Sequence, residues 1–420
     1  MADRTLLRNA KVLTCSGDPE ETPFDGDVLV DGGRISRVAP GGLEVDAGST
    51  RVVDVRGATV LPGLCDAHTH ISWPLDFVFD HDGVAAEPPA KHILDVASVA
   101  RTFLESGYTS IIGAGVLQHG DDTLMGDFID RGLLAGPRIV PSGPMVTEPG
   151  ALGADGGLMD VVADARAMRQ VVARQCDSGV KAIKLFISGD GIVPEFASED
   201  TYMNDDMLSA AVDEAGHHGA IVTVHARSAG SIAMAARTGV QLIHHACFVD
   251  DEARRALEQR RDDVWVCPGM HYLYAVVHGD AAPWGVTADQ VSRSGYDREL
   301  TSLVEGLGQL RASGIRLLSG GDFGHQWTRH GTYAAELQRY VELLGMTPVE
   351  AIHTATRNAG PLVGPLVGVR TGQIAEGYQA DIQVVDGDVA ADVTVLQDPA
   401  RRLAVMKDGV FEYVNRQRFP

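Results

Sequence analysis

Eight short apolar runs between residues 59 and 322, separated by amphipathic stretches, constrain this chain more than any other feature. In order they read TVLPGLCDAH, YTSIIGAG, RIVPSG, VKAIKLFISG, AIVTVHA, VQLIHHA, VWVCPG and IRLLSGGD. Each is continuous rather than alternating in polarity, as expected of strands buried on both faces. Between them lie helical patterns such as DVVADARAMRQVVARQC and DMLSAAVDEAGHHG. Strands and helices in strict alternation predict an α/β fold, a parallel TIM-type (β/α)8 barrel over residues 59–369. Residues 5–56 carry a different texture, with TLLRNAKVLT, GDVLVDGGRISRVA and TRVVDVRG broken by Gly and Asp turns. That β texture returns after about residue 370 in TGQIAEGYQADIQVVDG and RLAVMKDGVFEYV. Segments 1–58 and 370–420 are therefore expected to pair into one small, discontinuous β-sandwich domain with the barrel inserted between them.

Composition narrows the function. The 420 residues are 45% hydrophobic, enough for a substantial core, and the formal charge of −22 with no Lys/Arg run speaks against nucleic acid or an anionic membrane surface as partner. The five cysteines, Cys15, Cys65, Cys176, Cys247 and Cys267, are scattered and lack CxxC spacing, so neither a disulfide framework nor a zinc knuckle is expected. The N-terminal MADRTLLRNAKVLTC interleaves charges with apolar residues, and no run reaches membrane-span length. A cytoplasmic enzyme acting on a small-molecule substrate is expected.

The chemistry gathers at the ends of the strands, which form the active-site face of such barrels. His68 and His70 close the first run, and on an extended chain residues two apart point the same way. Both imidazoles can meet one ion. Lys184 lies within the apolar VKAIKLFI, where desolvation favours its neutral amine, a nucleophile able to capture CO₂ as a carbamate. Lys181, in the same run, is expected to face the helices. His225 closes the fifth run. The sixth ends in His244-His245, of which strand alternation admits only one to the barrel axis, and periodicity does not choose between them. Asp322 ends the eighth, a carboxylate that can bind a cation and accept a proton from water. One such residue alone is more often a core histidine, a snorkelling lysine or a helix cap. Five strand ends carrying them define a metal site.

This combination resembles the amidohydrolase superfamily. The motifs that carry the likeness are Pro62-Gly63-Leu64 with Asp66-Ala67-His68-Thr69-His70, and Gly320-Gly321-Asp322 with His330-Gly331. The closing segment adds Thr347-Pro348-Val349-Glu350-Ala351-Ile352, Ala355-Thr356, Asn358-Ala359, Gly372-Gln373-Ile374, Gly377 and Ala380-Asp381. Within the superfamily the chain is most similar to the binuclear, prolidase-like branch, with its Xaa-Pro dipeptidases, zinc carboxypeptidases and ochratoxin-type amidases. The resemblance implies His245 rather than His244 as ligand, and Lys184 as the carboxylated lysine. It also marks two departures, Arg227 where many relatives have tyrosine and His244 where they have an acidic residue.

The expected activity is hydrolysis of an amide C–N bond at two divalent metals, zinc by expectation. His68, His70 and Asp322 are assigned to one ion, His225 and His245 to the other, with carbamylated Lys184 bridging. A hydroxide shared by the ions attacks the substrate carbonyl, and Asp322 handles the proton. Arg227, His330, Tyr272 and Trp327 are expected to contact substrate, Arg227 through a carboxylate. Aromatic residues in the loops after strands one, seven and eight, Trp73, Phe77, Phe79, His271, Tyr272, Tyr274, Trp284 and Trp327, favour a bulky apolar or aromatic group, on a peptide-like or N-acyl amino acid substrate. A mononuclear deaminase or cyclic-amide hydrolase is the second enzymatic reading, which Lys184 opposes. A non-catalytic scaffold is the third, which the full ligand set opposes. A homo-oligomer is expected.

Overall fold

The β-rich runs at the N-terminus form β1 (Arg4–Val12), β2 (Phe24–Asp31), β3 (Arg34–Pro40), β4 (Arg51–Asp54) and β5 (Thr59–Pro62) in a computed structural model that describes residues 4–73, 88–155, 157–191, 193 and 195–419. The barrel run supplies β6 (Leu64–Thr69), β7 (Tyr108–Gly113), β8 (Arg138–Val140), β9 (Met145–Thr147), β10 (Met159–Val161), β11 (Ala182–Phe186), β12 (Ile221–Ala226), β13 (Leu242–His245), β14 (Trp265–Cys267) and β15 (Arg316–Leu317). The tail adds β16 (Ile382–Val385), β17 (Arg402–Lys407) and β18 (Val410–Val414). N-terminal and C-terminal strands share one sheet in the order β18-β17-β16-β5-β1-β2-β3, with β4 also on β1. They share one core as well, in which Leu7, Val28 and Val60 pack with Ile382, Ala404 and Met406.

The run 59–68, expected as one barrel strand, is two strands. Its first half, β5, pairs with β1 and β16, and only β6 enters the barrel. Gly63 sits at the division because a Cβ there would come within 2.2 Å of the Thr109 hydroxyl. The barrel strands run parallel as β6-β7-β8 and as β11-β12-β13-β14-β15, with the unforeseen β9 and β10 laid beside β11. Residues 160 and 161, expected to be helical, belong instead to β10. The helix begins after Asp164, whose carboxylate caps it by accepting from the Ala167 N–H. A few backbone hydrogen bonds outside the strand ladders span the two seams. Lys181 and Ala182 donate to the Pro141 carbonyl at 2.9 and 3.0 Å, and Ala67 donates to Ser319 at 2.8 Å.

Register fixes which side chains face the barrel axis. Lys184 lies opposite Thr223 and Leu242, and Phe186 opposite His225, His244 and Cys267. At the lower end Ala182, Ile221, Leu242 and Leu318 close an apolar layer with Leu362 and Val363 of the helix Gly360–Val367. Polar groups are thereby confined to the upper end. No helix among the described residues is long and apolar enough to cross a membrane. All five cysteines are free.

Candidate metal centre

At the upper end the ligand atoms of His68, His70 and Asp322 lie within 4.8 Å of one another, all three buried. Asp322 Oδ1 stands 3.1 Å from His70 Nε2 and 3.4 Å from His68 Nε2. The approach of the last strand to the first requires Gly320, where a Cβ would sit 2.5 Å from the His68 nitrogen. His225 and His245 pack edge to face at 4.3 Å, and His245 stands 4.9 Å from His68. Lys184 is fully buried beside them and meets Nδ1 of His244.

The expectation that only one of His244 and His245 could reach the axis does not hold. Register turns His244 inward, and alternation alone would turn His245 out. The backbone at His245 (φ 73°) and Ala246 (φ 56°) is left-handed, which ends the alternation and brings His245 back to the same cluster. Asp322 shares this conformation at φ 57°. Strained non-glycine backbone at three positions around one cluster marks a functional site.

Electrostatics follow from burial. It lowers His68, His225, His244 and His245 well below the ordinary imidazole range, which leaves neutral rings suited to cations. It lowers Lys184 from 10.5 to about 7. Burial pushes Asp322 upward, but the hydrogen bond from His70 and the neighbouring His325, His70 and Lys184 outweigh it and hold the carboxylate ionised. Nδ1 of His68 and of His245, with Nε2 of His244, are buried without a hydrogen-bond partner. Buried polar atoms are seldom left so, and on His68 and His245, the two expected ligands among them, a cation would complete the set.

The sequence matches the amidohydrolase family model over residues 59–411. This chain belongs to the amidohydrolase family. It is 26% identical over 381 residues to ochratoxinase from Aspergillus niger, a match covering 84% of this chain and 75% of that protein. A solved amidohydrolase superposes with a TM-score of 0.85 at 25% identity, covering 98% of this chain and 99% of the other. A prolidase solved with N-methylphosphonate-L-proline gives 0.83 at 26% identity, covering 97% and 99%. The ochratoxinase and prolidase relatives are consistent with the prolidase-like branch of that family, and membership of the family makes the chain a metal-dependent hydrolase of C–N bonds.

Around the metal-ligand cluster of this amidohydrolase, the residues expected to contact substrate divide. Arg227 does not offer an open guanidinium. It is fully buried, NH1 paired with Glu299 and NH2 2.9 Å from Asp190, and its backbone N–H bonds to Ser188 Oγ at 2.9 Å. A charge in that interior requires opposite charge, and two carboxylates supply it. His330 engages both ring nitrogens, with Trp73 O at 3.0 Å and the Tyr333 hydroxyl at 3.2 Å, so it braces Trp73. Tyr272 is buried, with its ring 5.9 Å from the Arg227 guanidinium and its hydroxyl turned to Tyr296, and it presents only a ring face. Trp327 stays partly open, nearly parallel to His325 at 5.3 Å.

His325 is the residue that sequence reading missed. Its ring lies 4.7 Å from Trp73 and 4.8 Å from Tyr272, and Nε2 is 4.0 Å from Asp322. Its position three residues after Asp322, on the loop beyond the last strand, was the available signal. Trp73 in turn stacks on His70 at 3.8 Å, so an aromatic strip leads away from the ligands. Of the other loop aromatics, Tyr274 stacks on His278, Trp284 lies under Arg329, and the His271 ring is 5.9 Å from Phe323. Phe77 and Phe79 lie outside the described residues. Below the site, Glu336 accepts from the N–H groups of Met270 and His271 at 3.0 and 2.6 Å, which fixes the helix Met270–Val277 carrying Tyr272.

Proposed function

We propose that this amidohydrolase hydrolyses a peptide-like or N-acyl amino acid amide carrying a bulky apolar or aromatic group, at two zinc ions. The observation that carries the reading is the buried cluster of His68, His70 and Asp322, with the His245 and His225 rings and Lys184 packed beside it and ring nitrogens of His68 and His245 without a partner among the described residues. His68, His70 and Asp322 hold one ion. His225 and His245 would hold the other, with Lys184, as its carbamate, a ligand available to both. Cations held there supply Lewis acidity to water and to the amide carbonyl. Asp322, kept ionised, receives the proton of the attacking water and returns it to the departing amine. Trp73, His325 and Trp327 favour a flat apolar group beside the scissile bond. Ochratoxinase and prolidase, the relatives by name, support a bulky or amino-acid-derived amide.

The test is metal analysis of zinc-loaded protein, followed by a screen of N-acyl amino acids and dipeptides. Close to two ions per chain is expected, with turnover on aromatic members. Full hydrolysis by metal-free protein would sink the proposal. One ion per chain would favour the mononuclear reading, centred on His68, His70 and Asp322. Lys184→Ala should lose activity and regain part of it with a short carboxylic acid, which supplies the missing oxygens.

A further inference from the structure

His244 is fully buried at the centre of the cluster, and the hydrolytic scheme leaves it without a task. It faces inward in register with His225 and Cys267, and its ring stacks on His68 with centroids 3.9 Å apart and planes 22° from parallel. That stacking fixes the ring plane. One edge, Nδ1, meets Lys184 Nζ, and the other, Nε2, has no partner. Cys267, the inward neighbour on the next strand, turns its thiol to the Gly320 carbonyl at 3.5 Å and does not compete for the lysine.

We infer that His244 is a positioning residue for Lys184, its Nδ1 accepting a hydrogen bond from Nζ and so orienting the carbamate that the lysine forms with CO₂. The inference rests on the carbamate of the proposed function. Carbamate formation is balanced simply. The amine lone pair attacks the carbon of CO₂, an N–C bond forms, one C=O π bond opens to a carboxylate oxygen, and one proton leaves the nitrogen for solvent. One proton remains on Nζ. Nζ carries hydrogen as ammonium, as amine and as carbamate, so Nδ1 has a donor in every state. The carbamate N–H lies in the plane of its two oxygens, so an acceptor held on that hydrogen sets the direction of both. The opposite row offers a complementary group. Thr223, the register partner of Lys184 on β12, buries an Oγ1 with no partner, a donor suited to a carbamate oxygen.

The experiment uses the full-length zinc-loaded protein equilibrated with ¹³C-bicarbonate, with the carbamate carbon read by NMR and zinc counted per chain. His244→Gln keeps an acceptor and should keep the label, but without the stacked ring that aims that acceptor the bond is weakened, and the label should exchange into unlabelled bicarbonate about fivefold to tenfold faster. His244→Leu keeps bulk and no acceptor. It should lose most of the label and fall from two zinc ions towards one. Wild-type labelling and two zinc ions in folded His244→Leu would overturn the inference. Should that variant fail to fold, a wild-type exchange rate in His244→Gln overturns it equally. Absence of label in the wild type would instead remove the carbamate itself, and this inference with it.

Discussion

Two buried polar clusters lie side by side beneath the mouth of the barrel, and they are balanced differently. Around Arg227, one guanidinium faces two carboxylates, Glu299 and Asp190, with Tyr296 donating to Asp190. Its charge is answered from within the chain. Around Lys184, one amine and the imidazoles of His68, His70, His225, His244 and His245 gather near the carboxylate of Asp322, and three ring nitrogens have no partner among the described residues. His225 near the end of β12 and Arg227 just beyond that strand thus belong to opposite kinds of site. A cluster that neutralises itself holds the fold together, whereas one with surplus donor atoms is completed by what it binds.

The comparison can be broken in four places, taken from the largest expected effect downward. His68→Ala removes a ligand from the unbalanced cluster and should cost activity at least about a thousandfold, since Lewis-acid stabilisation amounts to several kcal/mol. Metal content measured on the same sample should fall with it. Retained metal alongside lost activity would show that His68 acts otherwise.

Arg227→Met strikes the balanced cluster and leaves two carboxylates facing no cation. Stability should drop by about 3–5 kcal/mol in urea unfolding. Kinetic losses should be equal for carboxylate-bearing and neutral amides. A selective rise in KM for acidic substrates, with unfolding unchanged, would return Arg227 to the substrate.

Glu336 is a buried carboxylate with no ion-pair partner among the described residues, and burial raises it from 4.5 to about 7. A raised pKa gives stability that is complete below pH 4.5 and is lost as pH climbs through 7. Over that window Glu336→Gln should remove a decline on the order of 2–3 kcal/mol. Urea midpoints across the window test this, and a slope identical to wild type would place the titration elsewhere. Last, Trp327→Ala should raise KM for aromatic substrates several-fold, as loss of an aromatic pair worth about 1 kcal/mol implies. Aliphatic substrates, assayed in parallel, should change less.

Much of this protein was legible before its structure. Local periodicity marked the strands, because burial on both faces leaves continuous apolar runs, and the histidines, lysine and aspartate carried by five of them pointed to one end as the candidate metal site. His68, His70 and Asp322, which the structure gathers within 4.8 Å, were singled out from sequence together with Lys184, His225 and His245 beside them, and the family resemblance pointed to His245 as a proposed ligand. Sequence did not disclose that His244 also faces the cluster, because the left-handed turn at His245 and Ala246 breaks the alternation on which that reasoning depended. Nor could it assign Arg227, whose partners Asp190 and Glu299 stand 37 and 72 residues away. His325 and the fate of His330 were likewise decided by loops meeting in space. Strand pattern is a local property of the chain, but the balance of buried charge is set by which distant segments the tertiary fold brings together.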